Sequence, residues 1–313
     1  MKNNFILQIS KVLLIVLPVT FVFMEAQAQK KYSQQGAYSE DLAFVELDDR
    51  YGFINKDGKE VIPLKYDYVY PFSEGLAAVN LNSLWGFIDK TGKLIIPIKY
   101  DIVQSFSEGL ALFRLGNKVG FIDKSQKVII NLSYDYAGDF NNGLAWVRQD
   151  KKYGFIDKSG KLVIPMNYDL CYNFSNGLAA VKQGKSWGFI NTKGELFIPL
   201  DYQFANSFSD GVAVVSKDNK YWFIDPNGKE VFPLTFQGAN SFSEGLAAVK
   251  MNGKWGYIDR TGKLVIPYLY DQTYQFSNGR ASVTVGEQIG YIDKAGKIVV
   301  PFKNIDTGGD WFY

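Results

Sequence analysis

The segment WGFIDKTGKLIIPIKYD, Trp85 to Asp101, is one of eight near-copies whose spacing never varies. The residue after the leading aromatic falls at Gly52, Gly86, Gly120, Gly154, Gly188, Trp222, Gly256 and Gly290, a step of 34 residues each time. The companion segment Phe72-Ser73-Glu74-Gly75 recurs in the same phase, so eight units tile residues 38–309 without a linker or a second domain. A period of this length marks a repeat architecture, in which each unit buries its apolar face against its neighbours. The invariant step implies one geometry between neighbours, because an inserted residue would shift the register of a shared interface.

A 34-residue period also belongs to tetratricopeptide repeats, which are helical hairpins. Glycine and proline exclude that fold here. In the two copies counted from Gly52 to Val119 no stretch free of both exceeds 11 residues, Ile98 to Glu108, and a two-helix unit does not survive that density of breakers. The residues read instead as short strands. Leu76-Ala77-Ala78-Val79, Trp85-Gly86-Phe87-Ile88 and Leu94-Ile95-Ile96 are apolar runs bounded by turn signals. Asp89-Lys90-Thr91-Gly92-Lys93 has the chemistry of a hairpin turn, with the Asp as cap and the Gly at positive φ. Glu74-Gly75 marks the next turn, and Pro97 is expected to end its strand for want of an N–H. Lys99 to Ser105 could supply a fourth strand, so each unit reads as an antiparallel meander of three or four strands.

The runs are apolar on consecutive residues, which requires cover on both faces of each sheet. Aromatics at Phe53, Phe87, Phe121, Phe155, Phe189, Phe223, Tyr257 and Tyr291 suit that layer. Leu42-Ala43-Phe44-Val45 and Ile298-Val299-Val300, in the end units, are as apolar as any inner copy, whereas open arrays carry polar caps. The expected fold class is therefore all-β, an eight-bladed β-propeller of 34-residue meanders, with an open β-solenoid or superhelix as the alternative. Residues 29–37 read as a short linker. Residues 310–313 form a tail, and 302–313 are expected to provide a ring-closing strand for the first unit.

The pattern WGFIDKTGKLIIPIKYD followed by FSEGLA resembles the WG-repeat (KWG-type) family of bacterial proteins over residues 38–309. That resemblance implies a β-rich repeat protein, from a family mostly without assigned activity, in which copy number varies. Trp85, Gly86, Trp187, Gly188, Trp255 and Gly256 carry the motif as structural positions. This chain departs from it at Trp222 in place of Gly, Val119 and Ile289 in place of the aromatic, Gln126 in place of the hairpin Gly, and Asn131 in place of Pro. The third unit, with three of these, is expected to be the most irregular.

Composition narrows the function. The chain has no histidine, which removes Ser-His-Asp and Cys-His catalysis and every His-containing zinc site. Cys171 is the only cysteine, so an intrachain disulfide and a CxxC motif are both excluded. It shares its slot with Val69, Val103 and Ala137 and reads as a buried thiol, with an intermolecular disulfide as the alternative. A net charge of +2, from 34 basic and 32 acidic residues, gives no footprint for nucleic acid. Residues 1–28 read as a secretory signal peptide: Lys2 and Lys11, the apolar run Val12 to Met24, then Ala26-Gln27-Ala28 for cleavage. The run is too short for the roughly 20 residues of a bilayer span, so no stable span is expected after cleavage.

The recurring Asp89, Asp123, Asp157, Asp225, Asp259 and Asp293 read as turn caps, and no metal or cofactor is expected. Glu74, Glu108, Asp210 and Glu244 could mimic a glycosidase carboxylate pair, but a catalytic pair should be unique in a chain. The repeat leaves 68–71 free to vary: YVYP, IVQS, YAGD, LCYN, FANS, GANS, QTYQ. A fixed scaffold bearing a variable segment displays a binding surface. Tyr68, Tyr70, Tyr136, Tyr172 and Tyr274 are the candidate contact residues, unless they pack between units. The expected function is an exported, non-catalytic scaffold that binds an unknown envelope protein. The alternatives are a carbohydrate or cell-wall binding module and a glycan-cleaving enzyme.

Overall fold

The computed structural model describes residues 32–304. The first sheet comprises β1 (Gln34–Gln35), β2 (Leu42–Leu47), β3 (Arg50–Asn55) and β4 (Glu60–Tyr66), and the second β5 (Tyr68–Val69), β6 (Leu76–Leu81), β7 (Leu84–Asp89) and β8 (Leu94–Tyr100). Six further sheets follow at the same spacing. Seven of the eight have four antiparallel strands in sequence order and one has three. The architecture is thus all-β, a series of antiparallel meanders packed face to face like propeller blades.

Turn chemistry sets each meander. Asn82 and Ser83 both take positive φ, 53° and 65°, which makes a tight hairpin between β6 and β7. Between β7 and β8 the Asp89 carboxylate accepts from the Thr91 N–H, the Thr91 hydroxyl and the Lys93 N–H, all on Oδ1. The recurring aspartates are therefore turn caps, as their D-K-x-G context predicts.

Trp-Gly and Pro turn out to be two halves of one device. Trp85 pairs with Tyr100 and Phe87 with Ile96, so Pro97, Ile98 and Lys99 bulge opposite Gly86 alone. Pro97 does not end the strand, as expected above; it sits in the bulge, where no ladder N–H is required. The bulge folds backbone onto Gly86, where a Cβ would lie 2.6 Å from the Ile96 carbonyl oxygen and 2.8 Å from the Ile98 nitrogen. Trp222 tests the rule: the sixth sheet, with Trp where the others have Gly, keeps Lys220–Ile224 but forms no fourth strand. Only bridges from Tyr221 to Phe236 and from Ile224 to Glu230 remain. The third unit is not the irregular one. Its four strands are intact, because Gln126 itself takes φ 72° and its Nε2 donates to the Ile95 carbonyl of the second sheet (2.8 Å).

Consecutive sheets share a core. Leu76, Ala78, Phe87 and Ile96 of the second sheet pack on Val103, Phe106, Ala111 and Ile122 of the third, while Ala77, Val79 and Ile88 face back onto the first. Each of the seven junctions holds the same recurring aromatic pair, from Phe53–Phe72 at 4.8 Å through Tyr257–Phe276 at 4.9 Å. Burying one such ring contributes roughly 2–3 kcal/mol, and the tilted or edge-on pairing about 0.5–1.5 kcal/mol more.

The phase of the sheets differs from the sequence reading. Gln34–Gln35 lies in the segment read as a linker, yet it pairs with β2 at Glu46 and Val45. Tyr32 packs on Ala43, Val45 and Ile54. Phe302 to Asn304 complete the eighth sheet's own last strand, Ile298–Asn304, beside Gln288–Asp293. Every described sheet is therefore made of contiguous chain, and the edge of the first sheet needs no strand from the tail. The rest of the proposed closing strand, 305–313, and the signal segment, 1–28, lie outside the described residues. The glycine device makes a direct prediction: Gly188→Ala should destabilise the protein by about 1–3 kcal/mol through overpacking, read as a lower urea midpoint. An unchanged midpoint would mean that the bulge yields without strain.

Candidate functional site

Acids that recur in the sequence are used up between and within units. Ser73 Oγ donates to the Phe106 carbonyl (2.8 Å), and the Gly109 N–H donates to the Glu74 carboxylate (3.0 Å), one repeat further on in each case. Lys124 Nζ, on the next hairpin, pairs with the same carboxylate (3.1 Å). The pattern recurs with Glu40, Glu108, Asp210 and Glu244, each of which accepts from the Gly one unit ahead. A second set caps the other end. Asp67 accepts from the Asn82 N–H and pairs with Arg50, and Asp271 accepts from the Gly286 N–H and pairs with Lys254. These carboxylates are ties, not a reacting pair. No cluster of three or more metal-binding side chains occurs among the described residues.

The variable segments lie on the short first strand of each sheet and just beyond it. Tyr68, Tyr136 and Tyr274 are 46%, 54% and 55% exposed. Tyr70 and Tyr172 are half-buried: each stacks on the tryptophan of its own unit, Trp85 at 5.0 Å and Trp187 at 5.3 Å, with ring planes within 16°. Of the five tyrosines only Tyr68 and Tyr70 meet, at 5.8 Å, in a cluster that also takes in Tyr51 and Trp85. Trp255 leans on Gly238, where a Cβ would meet its ring at 3.2 Å. The motif tryptophans thus support the first strand, while Gly86, Gly188 and Gly256 accommodate the bulge.

Sequence reasoning missed Arg148 and Tyr153. Strand register sets Tyr136 opposite Arg148, whose guanidinium lies over Tyr136 (5.1 Å) and Tyr153 (5.7 Å). The signal was available, because Tyr153 occupies the slot of Trp85. Neighbouring segments also touch: Asn206 Nδ2 donates to Ser241 Oγ of the next unit (3.3 Å). In the same band Gln104 Oε1 and Asn173 Oδ1 are buried without a hydrogen-bond partner, and burial pushes the Asp139 carboxyl up. Exposed tyrosines and buried, unpartnered polar groups thus recur along the first-strand segments of several units.

The profile of the WG containing repeat matches residues 51–85, 85–118, 120–153, 153–186, 187–221, 223–255, 255–287 and 289–303. The chain belongs to the WG containing repeat family. No curated protein matches it. Among solved structures it is similar to one described as a crystal structure of the eukaryotic initiation factor, with a TM-score of 0.56 and 12% identity over 87% of each chain. That likeness supports the fold alone. BamB from Moraxella catarrhalis aligns with a TM-score of 0.46 and 10% identity, over 85% of this chain and 95% of that one.

Two solution measurements check this WG-repeat framework. The Lys294 ammonium and the Gly279 N–H hold Glu244 below its ordinary 4.5, and the Thr261 hydroxyl and backbone N–H groups hold Asp259 below 3.8. Carboxyls depressed by folding add stability that is complete above those ordinary values and lost as pH falls through the folded ones. The urea midpoint should therefore drop between pH 6 and pH 2.5; a midpoint that holds or rises would remove the ties from the account. Burial raises the Cys171 thiol far above its usual range, so a thiol reagent should label it only after unfolding.

Proposed function

We propose that this WG-repeat protein is an exported, non-catalytic protein-interaction module of the bacterial envelope, and that it binds its partner through the first-strand surface. The arrangement of Tyr136, Arg148 and Tyr153 carries the reading. Tyrosine and arginine are residues that anchor protein interfaces, and here one guanidinium lies over two rings with its Nε unpartnered. The scaffold beneath is rigid and repeated, while the displayed residues change from unit to unit, which suits recognition of one extended partner surface. Catalysis has little to work with: the chain lacks histidine, and its recurrent carboxylates hold neighbouring units together.

Export rests on the sequence of residues 1–28. No helix among the described residues is long and apolar enough to cross a membrane.

The test is capture from envelope extract by residues 29–313, beside a variant carrying Tyr68→Ala, Tyr136→Ala and Tyr274→Ala. Capture should vanish when the extract is treated with protease, and should fall about tenfold or more in the variant at unchanged thermal stability. Capture that survives protease but is lost on periodate treatment would assign a glycan ligand instead. N-terminal sequencing of the exported protein should begin at Gln29.

A further inference from the structure

The series ends with one face uncovered. Tyr291 stands where the seven inner junctions have Phe53 to Tyr257, yet it is 41% exposed while each of those rings is at most 1% exposed. Ser277 and Asn278 repeat the positions of Ser243 and Glu244, which tie the seventh sheet to Phe276 and Gly279. Among the described residues, Ser277 and Asn278 have no corresponding inter-sheet bonds. They line an open groove of about 410 Å³ together with Arg280, Ser282, Tyr291 and Val300. At every inner junction this face receives an aromatic ring from the unit ahead, and at most of them also a carbonyl for the serine and a glycine N–H for the acid.

We propose that the groove is the docking site of the chain's own C-terminal segment, residues 305–313, with the Trp311 indole seated against Tyr291. The sequence favours this occupant. Asp306-Thr307-Gly308-Gly309-Asp310-Trp311 matches Asp135-Tyr136-Ala137-Gly138-Asp139-Phe140, with Asp, Gly and Asp in common and an aromatic at the end. Phe140 is the ring that covers Phe121 at the third junction. The length fits as well: seven residues lead from Asn304 to Trp311, where six lead from Tyr134 to Phe140. Seven residues reach at most about 25 Å when extended, ample for a junction that six residues span elsewhere. Charge agrees too. Arg280, at the groove edge, replaces the Leu or Val of the other seven units, and residues 305–313 contain Asp306 and Asp310 but no Lys or Arg. Tethering raises the local concentration of the segment into the millimolar range, which favours it over a free competitor.

Amide hydrogen exchange on the full chain tests this directly. Trp311→Ala should speed exchange in Gln288–Asp293 and Ile298–Asn304 by about tenfold or more and leave the first six sheets unchanged, while Trp311→Phe should retain most of the protection. Ser282→Cys combined with Trp311→Cys, in a Cys171→Ser background, should form an intrachain disulfide under mild oxidation. Identical exchange in wild type and Trp311→Ala would overturn the assignment. So would protection that disappears on dilution, since that would make a second copy the occupant.

Discussion

The contact on which everything else rests is the ring-on-ring junction between one sheet and the next. A single 34-residue meander is too small to bury its own apolar faces and needs its neighbours to do so. Phe87 leaves water largely because Phe106, 19 residues further along the chain, lies on it at 4.9 Å. The same residues then position the polar ties. With Phe106 in place its carbonyl meets the Ser73 hydroxyl, and Gly109 comes within reach of Glu74. The bonds around the FSEG turn thus depend on the apolar contact, and they fix its orientation in return.

Much of this was legible in the residues, because each element carries its own local instruction. The 34-residue step gave the number of sheets, the D-K-x-G pattern gave the caps, and the consecutive apolar runs implied cover on both faces. Less legible was anything that depends on how two strands face each other. Pro97 looked like a terminator because it cannot donate to a ladder, but opposite Gly86 the ladder is already broken by a bulge. Gln126 looked disruptive, yet its side chain gains the Ile95 carbonyl as partner and the turn closes. The opening strand was hidden for a different reason. Gln34 and Gln35 have no apolar character, and only Tyr32, one step ahead of Tyr66, marks them as part of a unit.

The candidate surface was legible in place but not in composition. Variation at 68–71 located it, whereas burial divided the five tyrosines: Tyr70 and Tyr172 serve their tryptophans, and Tyr68, Tyr136 and Tyr274 face solvent. Arg148 belongs to the next strand and enters the surface only through register. Physical constraint runs the other way from interest here. Where the repeat is strict, residues are consumed by packing and ties; where it relaxes, side chains are left free to meet something else.

Because each sheet is built from one uninterrupted stretch of chain, its boundaries in space coincide with boundaries in the gene. Recombination between two copies at any matching position would restore a complete sheet with both of its faces. The array can therefore be lengthened or shortened by unequal crossing-over without inventing a new interface. A strand shared between the first and last sheets, of which there is none among the described residues, would require every change in copy number to preserve closure.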